Sequence, residues 1–156
     1  VFGRTFGILL LLLSFSVQAL EPELLIFISF GMPEKSLKLW AKQINRVGGK
    51  LLLRGFFENS LQETATKTLA IFGAEPNVDI AIDPERFQQF KVEVVPAVVV
   101  VKRQETLENN DVLPDFDVVY GDTTLEAALE RISQSGSMEG QRAANAFLKR
   151  YREAHD

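Results

Sequence analysis

The sequence predicts an α/β fold: a central mixed sheet of about four strands flanked by helices, with one extra helix at the C-terminus. Three observations predict it. Short, nearly continuous apolar runs alternate with segments whose apolar residues recur every three or four positions, the signatures of buried strands and amphipathic helices. Two of the strands stand on either side of a helix, so they should be parallel and joined by a right-handed crossover. Hydrophobic residues make up 46% of the 156 and charged residues 24%, the balance of a chain that buries a core.

The elements follow in order. Leu24 to Phe30 (LLIFISF) is an apolar run that reads as a strand buried on both faces. Gly31-Met32-Pro33 breaks it, and proline suits the first helical turn, where its missing N–H would have been unpaired. The next helix sets Leu37, Trp40, Ala41, Ile44 and Val47 on one face, with Leu39 opposite, and Gly48-Gly49 ends it with a left-handed cap. Lys50 to Arg54 is a second short strand. Ser60 and Glu63 have capping-box spacing and start a helix expected to bury Leu61, Ala65, Leu69 and Phe72.

Val78 to Ile82 is a weaker strand signal. Asp83-Pro84 starts a short helix, with Asp83 as its cap and Phe87 and Phe90 one turn apart. Val95-Pro96 leads into Ala97 to Lys102, the strongest strand signal in the chain. Arg103 to Asp115 is polar and reads as a loop. Phe116 to Tyr120 returns as a strand, able to pair with the previous one as a hairpin. Thr123 and Glu126 have a second capping-box spacing, ahead of a helix burying Leu125, Ala128, Leu129 and Ile132. Residues 134–140 (QSGSMEG) read as a flexible linker. Residues 141–156 then carry an amphipathic helix with a narrow stripe of Ala144, Phe147, Leu148 and Tyr151.

The first 19 residues read as a signal peptide. Arg4 gives a positive start, Phe6 to Val17 is mostly apolar, and Val17-Gln18-Ala19 offers small residues for cleavage between Ala19 and Leu20. The run is short for a membrane span, which needs about 20 residues. The expected organisation is a signal peptide over 1–19, one domain over 20–133, the linker and the C-terminal helix, with a periplasmic location and no membrane span after cleavage.

Composition removes much chemistry. There is no cysteine, so this chain has no thiol nucleophile, disulfide or thiolate metal site. One histidine, His155, leaves a histidine triad or a multi-histidine metal site without parts. A net charge of −4 gives no footprint for nucleic acid. Glu34, Glu58 and Asp83 could pair as hydrolytic carboxylates, but no spacing recommends it. No catalytic residue, metal or cofactor is expected.

An apolar strand runs directly into a helix at Phe30-Gly31-Met32-Pro33-Glu34-Lys35. Val95-Pro96-Ala97 precedes another strand, and Tyr120-Gly121 precedes a capped helix. In this order they resemble the thioredoxin fold, with Met32 and Lys35 in the slots of a Cys-x-x-Cys and Val95-Pro96 as the cis-proline loop. Lys50 to Phe72 and Val95 to Val101 look most like the catalytic domains of periplasmic disulfide isomerases. Ser29-Phe30-Gly31-Met32-Pro33-Glu34, Arg54-Gly55, Ile82-Asp83-Pro84, Phe87, Phe90, Val95-Pro96-Ala97 and Tyr120-Gly121-Asp122 together resemble the TrbC family, the pilin-assembly proteins of F-type conjugative transfer systems. The resemblance covers about Leu24 to Ser133. Gly31 departs from it, standing where the family's serine is expected.

The resemblance implies a non-enzymatic periplasmic assembly factor of a conjugative type IV secretion system, needed for pilus assembly, with TraW-like periplasmic proteins and pilin as partners. The alternative is a redox-inactive periplasmic chaperone with a thioredoxin-like peptide groove. The resemblance also implies a cis Val95–Pro96 bond facing Met32, beside a groove where an extended peptide adds as a strand. Phe30, Met32, Pro33, Lys35, Arg54, Val95 and Pro96 are therefore candidate partner-binding residues. Met32 reads equally as a packed methionine at a helix start. Arg54 reads as an arginine satisfied at a strand end, in reach of Asp83 or Glu58. Phe147 and Tyr151 are a second candidate surface, since their stripe must be covered by this domain or by another protein.

Overall fold

A computed structural model describes residues 21–75, 77–102 and 115–154. The expected signal peptide with its expected Ala19–Leu20 cleavage site, residues 103–114 of the expected loop and His155 lie outside the described residues.

Among the described residues five strands form one sheet: β1 (Glu23–Ile28), β2 (Lys50–Leu53), β3 (Asp79–Ile82), β4 (Ala97–Val101) and β5 (Phe116–Tyr120), in the order β3-β2-β1-β4-β5. β1, β2 and β3 are parallel, and β4 runs antiparallel to both β1 and β5. The expectation of about four strands falls one short. The fifth is β3, the weaker signal at Val78 to Ile82, which pairs with β2 from Lys50↔Asp79 to Leu53↔Ile82. Four residues led by an aspartate give a weak sequence signal, and pairing with β2 stabilises them.

Strand side chains alternate between faces, and both faces are covered. Leu24, Ile26, Ile28, Leu51, Leu53, Val98 and Val100 pack under four helices: α1 (Glu34–Val47), α2 (Leu61–Phe72), α4 (Leu125–Ser135) and α5 (Met138–Glu153). Leu25, Phe27, Leu52, Ala97, Val99 and Val101 face the other way, against Phe87 of the short α3 (Pro84–Gln89) and against Phe90 and Val92 just after it. Phe27 meets Phe87 edge to face at 4.7 Å. This two-sided burial is why the strands read as continuous apolar runs rather than alternating ones.

The caps follow the sequence with two shifts. Ser60 accepts from Glu63 N–H at 3.2 Å, and Asp83 accepts from Arg86 N–H at 3.0 Å. Gly48 caps α1 with φ of 74°, a conformation that suits glycine. Thr124 rather than Thr123 caps α4, accepting from Ala127 N–H. Pro33 sits one residue ahead of α1 instead of inside its first turn.

One helix, α2, differs from the sequence reading in what it buries, and another, α5, buries the stripe expected of it. α2 turns Thr64, Ile71 and Phe72 inward, and leaves Leu61 and Leu69 67% and 73% exposed, with Ala65 also exposed. Thr64 sets this rotation: its hydroxyl donates to Ser60 O at 2.6 Å and accepts from Phe57 N–H at 2.8 Å, so the helix is fixed by a polar residue. Meanwhile the α5 stripe is covered by this chain itself. Ala144, Phe147, Leu148 and Tyr151 are buried in the core shared with α1 and α4. Phe147 and Tyr151 therefore have no face to offer a partner.

The expected linker over 134–140 is a two-residue junction. α4 runs to Ser135 and α5 begins at Met138. The Ser137 hydroxyl accepts from Gly140 N–H and donates to Asp117 Oδ2, both at 3.1 Å, tying the start of α5 to β5. Lys102, with a nearly buried side chain, approaches the same Asp117 at 3.7 Å and Asp115 at 2.5 Å.

Gly140 is required by this approach, since a Cβ there would lie 1.7 Å from Asp117 Oδ2. Alanine in a helix gains about 0.5–1 kcal/mol over glycine, whereas displacing the carboxylate loses a charged hydrogen bond of about 1.5–3 kcal/mol. Gly140→Ala should thus lower stability by about 1 kcal/mol on balance. In an Asp117→Ala background the same change should be neutral or stabilising in thermal melts. A loss of similar size in both backgrounds would rule out the steric cause.

Candidate functional site

A groove of about 400 Å³ opens at the carboxyl ends of β1 and β2. Parallel strands bring their C-terminal ends together here, which is where open α/β sheets commonly bind ligands. Ile28, Ser29, Phe30 and Gly31 continue from β1 into it. Leu53, Arg54 and Gly55 continue from β2, followed by Phe56, Phe57 and Glu58. Phe87, Glu93 and Val95 close the third side.

The lining is aromatic and internally braced. Phe30 meets Phe57 edge to face at 5.8 Å. Lys67 Nζ lies 3.6 Å from the Phe57 ring centroid and 5.6 Å from that of Phe30, a cation–π clamp from α2. The Arg54 guanidinium stands 4.9 Å over the Phe87 ring and donates to Val92 O at 2.6 Å. Arg54 is satisfied at its strand end, as read from sequence, and pairs with neither Asp83 nor Glu58, the alternative partners within its reach. Asp83 is occupied by the α3 cap and lies 3.6 Å from Arg86, and the nearer acceptor for Arg54 is a backbone carbonyl.

The rim loop is held in an unusual backbone. Glu58 and Asn59 have φ of 51° and 54°. Two consecutive non-glycine residues in the left-handed region cost about 1–2 kcal/mol each. The Thr64 bonds to Phe57 and Ser60 hold the loop against that cost. The result keeps Phe56 49% exposed at the mouth of the groove.

Of the residues singled out from sequence, Phe30, Arg54 and Val95 line the groove. Val95–Pro96 is cis, at the start of β4 as expected, but Pro96 itself is buried, with its carbonyl accepting from Gly121 N–H at 3.0 Å. The turn residue that lines the groove with Val95 is Phe30, not Met32. Met32 is half-buried against the core beneath the four helices, as Phe30 is, but stands outside the lining. Pro33 and Lys35 are exposed at the start of α1 and are not in the lining. Nearby, Glu34 pairs with Lys38 at 2.5 Å, and that hydrogen bond and charge hold its carboxyl below the usual range. Phe147 and Tyr151 lie in the core.

Sequence reasoning missed Phe56, Phe57 and Glu93, and it named Phe87 and Glu58 without placing them in a groove lining. The signal available was Gly55-Phe56-Phe57, two adjacent aromatics between a buried strand and a helix cap, where a loop would expose at least one of them. Among the described residues, no three acidic or histidine side chains gather as a metal site, and no helix is long and apolar enough to cross a membrane.

Residues 26–132 match the family of type-F conjugative transfer system pilin assembly proteins. The chain belongs to this family. Every groove-lining residue falls inside the matched span, whereas α5 falls outside it. A curated relative is Periplasmic protein TrbC of Escherichia coli (strain K12), 30% identical over 112 residues. That alignment covers 72% of this chain and 48% of the relative, so the chain spans about half the length of the curated relative it matches. No solved structure matches. Membership in the TrbC family makes this a periplasmic protein, in the compartment expected from the sequence.

Proposed function

We propose that the chain is a non-enzymatic assembly factor of a conjugative type IV secretion system. It acts by docking an extended segment of a partner in the groove beside Val95-Pro96. The observation that carries this is the groove itself: phenylalanines from three segments, one of them half exposed, braced by Arg54 and Lys67 at the ends of two parallel strands. The strand order, with a parallel β1-α1-β2 unit and antiparallel β4 and β5 leading into α4, supports a thioredoxin-like reading of the fold. Without cysteine, such a site keeps its shape and loses thiol–disulfide exchange. A leader over 1–19, cleaved after Ala19, would deliver the chain to its compartment.

Main-chain hydrogen bonds contribute only about 0.5–1.5 kcal/mol each, so the aromatic floor must supply most of the affinity. A TraW-like protein of the transfer system is the partner this reading favours, with pilin as the molecule whose assembly it serves.

The test is Phe56→Asp. The side chain is half exposed, so the variant should fold with an unchanged melting temperature. Donor cells carrying it should lose pili, and capture of the TraW-like protein should weaken by about tenfold or more, as for a central interface aromatic. A folded variant with full piliation and full capture would refute the groove as the docking surface. Met32→Asp is the poorer probe, because Met32 packs against the core.

A further inference from the structure

The charges around the groove are not balanced in how they are used. The two cations that stand over its phenylalanine rings are already engaged, Arg54 by Val92 O and the Phe87 ring, and Lys67 by the rings of Phe57 and Phe30. The carboxylates are not. Glu58 and Glu93 both line the groove and both are exposed, and neither forms an ion pair with a described residue. Lys91 lies in an adjoining depression that shares Arg54, Phe87 and Glu93, and it pairs with neither carboxylate.

From this arrangement we infer the chemistry of the occupant: an extended segment bearing a large apolar side chain flanked by lysine or arginine. The inference rests on the docking role proposed above. An apolar side chain seated on Phe30, Phe56 and Phe57 removes water from the floor. The same step draws the two rim carboxylates towards a drier environment, which is unfavourable unless a cation meets them. An acidic segment would meet two like charges with no uncommitted cation in the lining to offset them. The chain's net charge of −4 acts in the same direction at longer range.

The experiment uses three labelled peptides of equal length, read by fluorescence anisotropy with the full chain. One carries phenylalanine flanked by lysines, one phenylalanine flanked by glutamates, and one alanine flanked by lysines. The lysine–phenylalanine peptide should bind about five- to tenfold tighter than the glutamate one, the effect of two exposed charge pairs. The preference should shrink as salt is raised. Glu58→Gln combined with Glu93→Gln should erase it while keeping phenylalanine favoured over alanine. Equal affinities, or a preference for the glutamate peptide, would overturn the charge inference and leave the groove standing as a site. Failure of all three peptides to bind would overturn the groove reading and this inference together.

Discussion

Phe147→Ala is expected to destabilise the chain by about 3–5 kcal/mol, the usual cost of truncating a buried phenylalanine. Phe147 is 1% exposed and belongs to the same core as Trp40, Ile44 and Leu129. Its helix lies at the C-terminus, where an appended element could be expected to detach without consequence. The packing says otherwise: α5 covers part of the sheet face that holds Val98 and Val100, so a cavity at Phe147 weakens the centre of the fold. Thermal melts should show a single transition shifted down by about 10 °C or more. A shift smaller than that of a typical surface substitution would mean that α5 is not part of the folded unit.

Gln43→Leu is expected to cost about 1–3 kcal/mol although it puts an apolar residue where a polar one is buried. Gln43 is 5% exposed on the core side of α1, and its Oε1 accepts from Leu125 N–H at 2.8 Å. Leu125 opens α4, and the first N–H groups of a helix have no partner within it. Thr124 serves Ala127 N–H, so the Leu125 donor depends on Gln43. Leucine would leave that donor buried and unpaired, and the desolvation cost exceeds what the added apolar surface contributes. Urea unfolding should show a lower midpoint with an unchanged slope. A midpoint within error of the parent would show that water or a local shift satisfies Leu125.

What sequence could convey depended on how local each cause was. The strand runs at Leu24 and Ala97, the Ser60 and Asp83 caps and the Gly48 terminus are set by neighbouring residues, and these appear where expected. The cis Val95–Pro96 bond followed from resemblance rather than from local preference. The rotation of α2 was not legible, because Leu61, Ala65, Leu69 and Phe72 are spaced for a buried face. The choice was made by a threonine bonding to a loop outside the helix. The signal at Val78 to Ile82 and the α5 stripe were legible, whereas the place of β3 in the sheet and the coverage of α5 by this chain depend on contacts with distant segments. For the groove lining, Phe30, Arg54 and Val95 were reached through the resemblance rather than through composition or spacing. Phe56 and Phe57 were only partly legible: the adjacent pair marks an aromatic loop, but the half-exposed position of Phe56 rests on two left-handed residues, Glu58-Asn59, with no glycine to announce the turn.

Binding at the groove is best tested on the protein in solution. The isotope-labelled chain would be titrated with the proposed TraW-like partner while its backbone amide signals are followed. The predicted result is that the largest shifts fall on Arg54, Phe56, Phe57, Glu93 and Val95, with the outward faces of α4 and α5 unchanged. Saturable binding with shifts confined to α4 and α5, and none around the groove, would contradict it.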